Sequence, residues 1–401
     1  MHALLKKNTV IEILTISFLS GLIFWFMINY VTDSDIQMHA DLLYYFHEGT
    51  KTFPPNFLYY LFLELFSGFS GNLNAILVAS GIVLALALTA KYFITKKIIL
   101  DFIAIRGLDL SEKQRRLISI GLAGSLLLLF AIPDTYTVFS LHKYYLGRVV
   151  PNIWHNSTTI TVFPFALYLF WTQYKLLISN KVASPKQLMG LSLLVVLNCL
   201  IKPSFIFVYI PVTGLFLLSK FGFKHFLSLL KYCIPLVSGL IVIIALQFLI
   251  FQLQLGLLQE SPSKVVLVAP FKIWEFLIPK WYIPYSLLLS YTFPLCFFLL
   301  FPKAIFKDRL LSYTVLLVIF GLLISIFIGE EGARAHHGNF LWQNFLCCFM
   351  LMMTVSLSCL EKRIKGELLG WKWVLLTSIY TLHLLAGLGY FLHMGIFGTY
   401  D

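Results

Sequence analysis

The sequence predicts an all-α, polytopic membrane protein, on three observations. The 401 residues are 59% hydrophobic and only 12% charged, against about 25% charged residues in ordinary soluble domains. Apolar runs recur from Val10 to Phe391 with no polar domain between them, so residues 1–401 read as a single transmembrane domain with no separate soluble domain. The basic residues sit in short segments between those runs, as the charge rule for membrane topology requires. A formal charge of +12 therefore reflects topology, and no amphipathic or aromatic-interleaved basic surface suggests a nucleic-acid partner. The six cysteines (Cys199, Cys233, Cys296, Cys347, Cys348 and Cys359) fall in or at the ends of apolar runs without a CxxC pair, which argues against a disulfide framework or a zinc site.

About 20 apolar residues cross a hydrocarbon core of about 30 Å. The first run, 10–31, is preceded by Lys6 and Lys7 but is too long for a signal peptide and lacks a small-residue cleavage site, so it is an uncleaved first span. Further crossings are expected near 72–92, 117–133, 159–178, 187–201, 203–219, 232–251, 283–301, 310–328, 340–359 and 373–393. That makes about 11 transmembrane helices, with the termini on opposite sides. If the N-terminus is cytoplasmic, the inner segments hold 22 of the 30 basic residues and the outer segments hold eleven of the eighteen acidic ones. The C-terminus then lies outside.

Residues 57–68, "FLYYLFLELFSG", would reverse every later loop if they crossed, so they are expected to form an interfacial helix in the first outer loop, and 41–47 can lie similarly flat. The pair 187–201 and 203–219 is short for the core, at 1.5 Å per residue. Its turn "NCLIKPSF" should sit below the outer surface, with Pro203 breaking the helix and Lys202 facing a cavity.

Polar chemistry collects in three outer segments. The first, "VTDSDIQMHADLLYYFHEGTKTFPPN" (31–56), carries Asp33, Asp35 and His39. Two aspartates at DxD spacing can share a divalent cation (Mg or Mn) or a diphosphate-linked sugar, and either can serve as a general base toward a hydroxyl. The plain alternative is a solvated turn in which an Asp caps a helix over 36–48. Asp35 and His39, four apart, would share a helix face. His39 could equally be a hydrogen-bonded structural histidine, and His47 and Glu48 read as rim residues.

The second segment, running from Asp134 to Thr159, brings Arg148 and His155 near "NIWHNST". These could complete a binding pocket, although aromatic and basic residues also populate any interfacial belt. The sequon at Asn156 lies against the next span and is discounted. The third, "GEEGARAHHGNFLWQ" (329–343), carries Arg334, His336, His337 and Asn339. An arginine fork with imidazole donors suits phosphate oxygens, while an arginine at a membrane rim also snorkels with no chemical role. Lys202 is an ionisable residue inside the apolar region and is a functional candidate for that reason.

With "DSDIQMHA" just beyond the first span and interfacial helices after it, the chain resembles the GT-C superfamily of integral membrane glycosyltransferases, over nearly its whole length. The resemblance implies a sugar moved, with inversion, from a polyprenyl-phosphate donor to a glycan or lipid acceptor at the outer face. It implies Asp33 or Asp35 as the catalytic acid of the first outer loop, and the DxD spacing separately makes Asp35 a candidate metal ligand. His39, Arg148, His155, Lys202, Arg334, His336, His337 and Asn339 are then the expected substrate-binding residues, Arg334 and its neighbours matching the family only by side and residue type. Expected partners are the lipid-linked donor, the acceptor and membrane lipids, in a bacterial inner membrane or a plasma membrane. Two alternatives are a polymerase or ligase of lipid-linked polysaccharide, which would rest on Arg148 and Arg334, and a lipid-glycan transporter or flippase. Against the transporter stands the clustering of polar residues at one face, with no partner for the broken pair 187–219 in the other half.

Overall fold

The computed structural model describes residues 2–32, 34–179, 182–253, 263–332 and 334–401. In chain order its α-helices are α1 (His2–Tyr30), α2 (Asp35–His47), α3 (Leu58–Ser67), α4 (Leu73–Ile105), α5 (Glu112–Leu128), α6 (Ser157–Ile178), α7 (Pro185–Ile201) and α8 (Ser204–Phe221). There follow α9 (Phe226–Phe251), the short α10 (Lys272–Glu275), α11 (Ile283–Ser290), α12 (Thr292–Leu300), the short α13 (Ala304–Lys307), α14 (Arg309–Phe327), α15 (Trp342–Ile364) and α16 (Gly370–Phe397). One departure from an all-α chain is a small antiparallel pair, β1 (Ser263–Leu267) with β2 (Ile328–Gly332), in which Val265 faces Glu330. The start of the "GEEGARAHHGN" segment is thus a strand rather than a free loop.

Among the described residues seven helices are long and apolar enough to cross a membrane, or up to eight if the bent pair α11 and α12 (66° apart) forms one span. The chain is a multi-pass membrane protein, but length and composition do not reproduce about 11 crossings. The shortfall falls on three expected crossings. The one at 117–133 stops at Leu128, where the chain turns extended, and the one at 187–201 is α7, with 17 residues. At 159–178 lies α6, long enough but carrying Thr158, Thr159, Thr161 and Gln173, all buried. A helix enclosed by other helices meets no lipid, so its polar residues need protein partners instead of an apolar sequence.

The helix ends gather at two opposite levels. At one, the end of α1 meets the end of α16 through Thr32 N–H to Gly398 O (2.9 Å), and Asn56 donates to Ile201 O at the end of α7 (3.3 Å). At the other, Arg106 after α4 pairs with Asp308 before α14 (2.5 Å), and Lys220 of α8 caps the carbonyls of Leu176, Leu177 and Ser179 after α6. Helices are present at both positions expected to lie flat, as α2 and α3. Both pack on α4, with Tyr59 Oη 3.1 Å from Ser80 Oγ.

Between α5 and α6 the chain re-enters the bundle. Residues 147–164 are buried without interruption, and Trp154 packs on Phe24 of α1 (6.4 Å between rings), about 10 Å below the end of that helix at 1.5 Å per residue. Non-helical backbone survives at such depth only if protein satisfies it. Here Ser290 Oγ accepts from Val149 N–H (3.0 Å), Ser286 donates to Gly147 O (2.6 Å), Tyr144 donates to Ala386 O (3.0 Å), and Asn152 donates to the carbonyls of Leu126 and Leu129 (2.9 and 2.8 Å). Asn152 Oδ1 in turn accepts from Lys91 Nζ (2.6 Å), which also lies 3.5 Å over the Phe163 ring. Lys91, one of the 22 basic residues that the charge count assigns to inner segments, is buried within α4.

The turn into this segment is held by α16. A Cβ on Gly387 would stand 1.6 Å from the Leu128 carbonyl oxygen, whereas one on Gly395 of the same helix would meet nothing within 4 Å. Overpacking against backbone costs about 1–3 kcal/mol or more, and Gly to Ala in an open helical position is neutral to favourable. Gly387→Ala is expected to lower the melting temperature of the detergent-solubilised protein by several degrees while Gly395→Ala leaves it unchanged. Scanning fluorimetry of both variants checks this.

Candidate functional site

At the level where α1 ends, a cavity of about 720 Å³ opens among the segment after α1, the re-entrant chain, the α7–α8 break and the segment before α15. Asp35, His39, Arg148, His155, Lys202, Arg334, His336, His337 and Asn339 all line it. Every candidate residue that the structure describes therefore borders one hollow. Asp33 lies outside the described residues.

Asp35 reaches the cavity because another residue caps its helix. Ser34, in extended conformation, accepts from Ile36 N–H and starts α2, which leaves Asp35 in the first turn with its side chain free of capping. One carboxylate oxygen, Oδ2, accepts a hydrogen bond from Asn156 Nδ2. The same amide's Oδ1 accepts from Lys202 Nζ (2.8 Å) and from Thr159 N–H (3.0 Å) at the start of α6. Asn156 thus joins a carboxylate to an ammonium. Lys202 also donates to Thr158 Oγ1 (3.2 Å) and sits 4.1 Å over the Trp342 ring. Its backbone is extended, between the last turn of α7 and the first of α8.

Aromatic rings form much of the wall. His39, one helical turn from Asp35, has Nδ1 2.6 Å from Tyr60 Oη and packs edge-on against Tyr59 and Tyr60. His155 stacks on Tyr400 (4.2 Å, 13°) and meets Tyr145 edge-on (4.8 Å), while its buried Nδ1 has no hydrogen-bond partner. Burial lowers the proton affinity of both imidazoles, His155 to about 4, with the Asp35 carboxylate opposing the shift. Both are neutral at pH 7. Phe207, Leu246 and Ile250 give the cavity an apolar flank beside these polar groups.

The segment before α15 contributes differently. Glu330, fixed on β2, pairs with Arg334 Nε (3.0 Å) and accepts from Asn339 Nδ2 (2.5 Å). One buried carboxylate thus holds two of the expected binding residues in place. His336 is exposed and packs on Phe276 (4.1 Å between ring centroids). Burial and the Arg334 charge hold His337 below the ordinary imidazole range, against the pull of Glu330. Arg148 borders the cavity but is committed elsewhere: it is buried, pairs with Asp134 (2.9 Å), and donates to Thr137 and to Ile132 O. Its bonds brace the loop that follows α5.

Sequence reasoning missed Asn156, Glu330, Tyr60, Trp342 and Tyr400. The signal for Asn156 was present in "HNST", an N-cap ahead of an apolar run, but it was read as a sequon. With both amide atoms engaged and the residue buried, Asn156 offers no nitrogen for a glycan. No group of three or more His, Cys, Asp or Glu side chains suited to a metal ion occurs among the described residues. Among the described residues, an amide and an ammonium stand around Asp35 and supply positive potential without a further anionic ligand, while Asp33, the expected second ligand, lies outside them.

Compared with protein-family models, with curated proteins and with solved structures, the chain matches none. The site's chemistry is accordingly read from its own side chains.

Burial pushes the Lys202 ammonium down to about 7, the Asp35 carboxylate opposing the shift. Its titration thus falls toward neutrality instead of far above it, and an anion in the cavity favours its charged form. Anion binding should therefore take up a proton and weaken as pH rises above 7, by up to about tenfold per unit. Titration calorimetry with a short-chain lipid phosphodiester, whose own charge is constant over pH 6–9, should show that slope. Lys202→Arg should flatten it.

Proposed function

We propose that this chain is an integral membrane glycosyltransferase that moves a sugar from a polyprenyl-phosphate donor to an acceptor hydroxyl at the outer face. The observation that carries the reading is the shared cavity: Asp35, from the segment after the first helix, and Lys202 and Arg334, from segments far along the chain, border one hollow with an aromatic wall and an apolar flank. A donor anchored in the bilayer by its polyprenyl chain requires such a site at head-group level.

In this reading the Asp35 carboxylate accepts the proton of the acceptor hydroxyl as its oxygen attacks the anomeric carbon. The bond from that carbon to the phosphate oxygen breaks, and the phosphate leaves with the electron pair. A single displacement of this kind inverts the anomeric centre. Lys202, and Arg334 with His337, hold the phosphate and stabilise its growing charge. Asn156 fixes the carboxylate so that its second oxygen faces the acceptor. Tyr60, Trp342 and Tyr400 present faces on which a sugar ring packs. No step passes through a metal ion.

The reading includes an orientation. We propose that α5, α6 and α7 also cross, sheltered by the seven long helices and the bent pair, which gives eleven spans. The contacts between helix ends support that count, with the ends of α1, α7 and α16 meeting neighbouring segments at one level and those of α4, α6, α8 and α15 at the other. The cytoplasmic side is then the level of Arg106 and Lys220, where the basic residues concentrate. The cavity and the C-terminus face the periplasm or cell exterior.

The test is a membrane assay with radiolabelled polyprenyl-phosphate sugars. Asp35→Ala is expected to lower transfer by about 10²- to 10⁴-fold, the range for losing a general base, with Arg334→Ala weakening donor binding. Full transfer by both Asp35→Ala and Asp33→Ala would sink the proposal.

A further inference from the structure

At the level opposite the site, a second cavity of about 530 Å³ opens between the end of α4, the α12–α14 turn and the end of α15. Five basic and three acidic side chains line it, leaving two positive charges in excess. The acids are already engaged. Asp308 and Glu361 flank Arg106 (2.5 and 3.6 Å), Glu361 also takes Lys365 (2.6 Å), and Glu367 takes Lys362 (2.6 Å). Lys303 and Lys307 line the same cavity with no carboxylate within ion-pair distance among the described residues.

Two further observations set the kind of ligand. One wall is apolar, with Phe301, Pro302 and Leu311 beside the charges. The surface next to it carries Leu299 (80% exposed) and Phe306 (87% exposed), large apolar side chains where a helix end meets the membrane boundary. A water-soluble anion has no use for such a border, whereas a phospholipid places its phosphate on the lysines and its chains on the apolar flank. Basic pockets between helix ends suit anionic head groups in this way.

We propose that this cavity binds the head group of an anionic phospholipid from the leaflet opposite the functional site, with Lys303 and Lys307 contacting its phosphate. The site is separate from the cavity around Asp35 and does not depend on the transferase reading. Each lysine at a membrane surface contributes about fivefold in affinity, and the two together about 25-fold.

The experiment uses the full chain in a neutral detergent. Native mass spectrometry measures retention of phosphatidylglycerol, with phosphatidylcholine and glycerol 3-phosphate as the other arms. Phosphatidylglycerol is expected to be retained over phosphatidylcholine. The double variant Lys303→Ala/Lys307→Ala should lose about 25-fold in affinity, while Lys303→Arg/Lys307→Arg keeps wild-type retention. Should the double alanine variant fail to purify as a monodisperse protein, the single variants Lys303→Gln and Lys307→Gln serve, each expected to lose about fivefold. Undiminished retention in the alanine or glutamine variants overturns the proposal, as does equal retention of phosphatidylcholine. Glycerol 3-phosphate binding as tightly as the lipid would mean a site for a soluble phosphate and overturns it too.

Discussion

The amide of Asn156 is the contact on which the site's geometry depends. Its nitrogen donates to Asp35, at the start of α2, and its oxygen accepts from Lys202, between α7 and α8. The two ends of an amide are not interchangeable here: turned around, it would set an NH₂ group against an ammonium and an oxygen against a carboxylate. One side chain thereby fixes three separate parts of the chain. It also keeps the carboxylate and the ammonium from collapsing into a direct ion pair, which would leave neither available to a ligand.

A polar hollow inside a membrane protein makes demands on everything around it. The re-entrant chain before Asn156 lies where lipid would surround an isolated segment, and unsatisfied backbone groups there cost several kcal/mol each. Ser286, Ser290, Asn152, Tyr144 and the backbone of α16 meet that demand. The same demand accounts for Arg148. Buried and paired with Asp134, it closes hydrogen bonds for the loop that delivers His155 and Asn156 while it borders the cavity. It accounts as well for α6 and α15, buried over most of their length so that the polar site never faces lipid.

How far the sequence reveals this follows from the same physics. Long apolar helices announce themselves by composition alone, so α1, α4, α8, α9, α14, α16 and the apolar though buried α15 are legible from hydropathy. The break at Lys202–Pro203 was legible too, since proline after a charged residue in an apolar run has few other meanings. What was not legible is pairing. Nothing in "GEEGARAHHGN" announces that Glu330 is a strand residue opposite Val265, because its partner strand lies more than sixty residues earlier and neither strand is long enough to show alternation. The burial of Lys91 was hidden for a related reason. Counting charge by segment assigns a lysine near the end of an apolar run to the nearest loop, whereas its acceptor, Asn152, arrives from a segment that only folding brings into the bundle. Asn156 was passed over because a three-residue motif with a familiar meaning hid an equally ordinary N-cap.

The charges around the cavity lead to one more step. Among the described residues that line it, Arg148 is neutralised by Asp134, Asp35 and Glu330 are the carboxylates, and Lys202 and Arg334 are the cations set against them. With the lysine protonated these four sum to zero, and with the lysine neutral they sum to one negative charge. His155, held near 4, adds nothing at neutral pH. A phosphate-bearing ligand therefore enters a hollow with no positive charge to spare, and arginine cannot gain a proton in response. Lys202 can, because burial has lowered its proton affinity toward neutrality. The lysine's depressed proton affinity is thus the means by which the cavity gains one positive charge when an anion enters, the four groups passing from a net negative charge to zero.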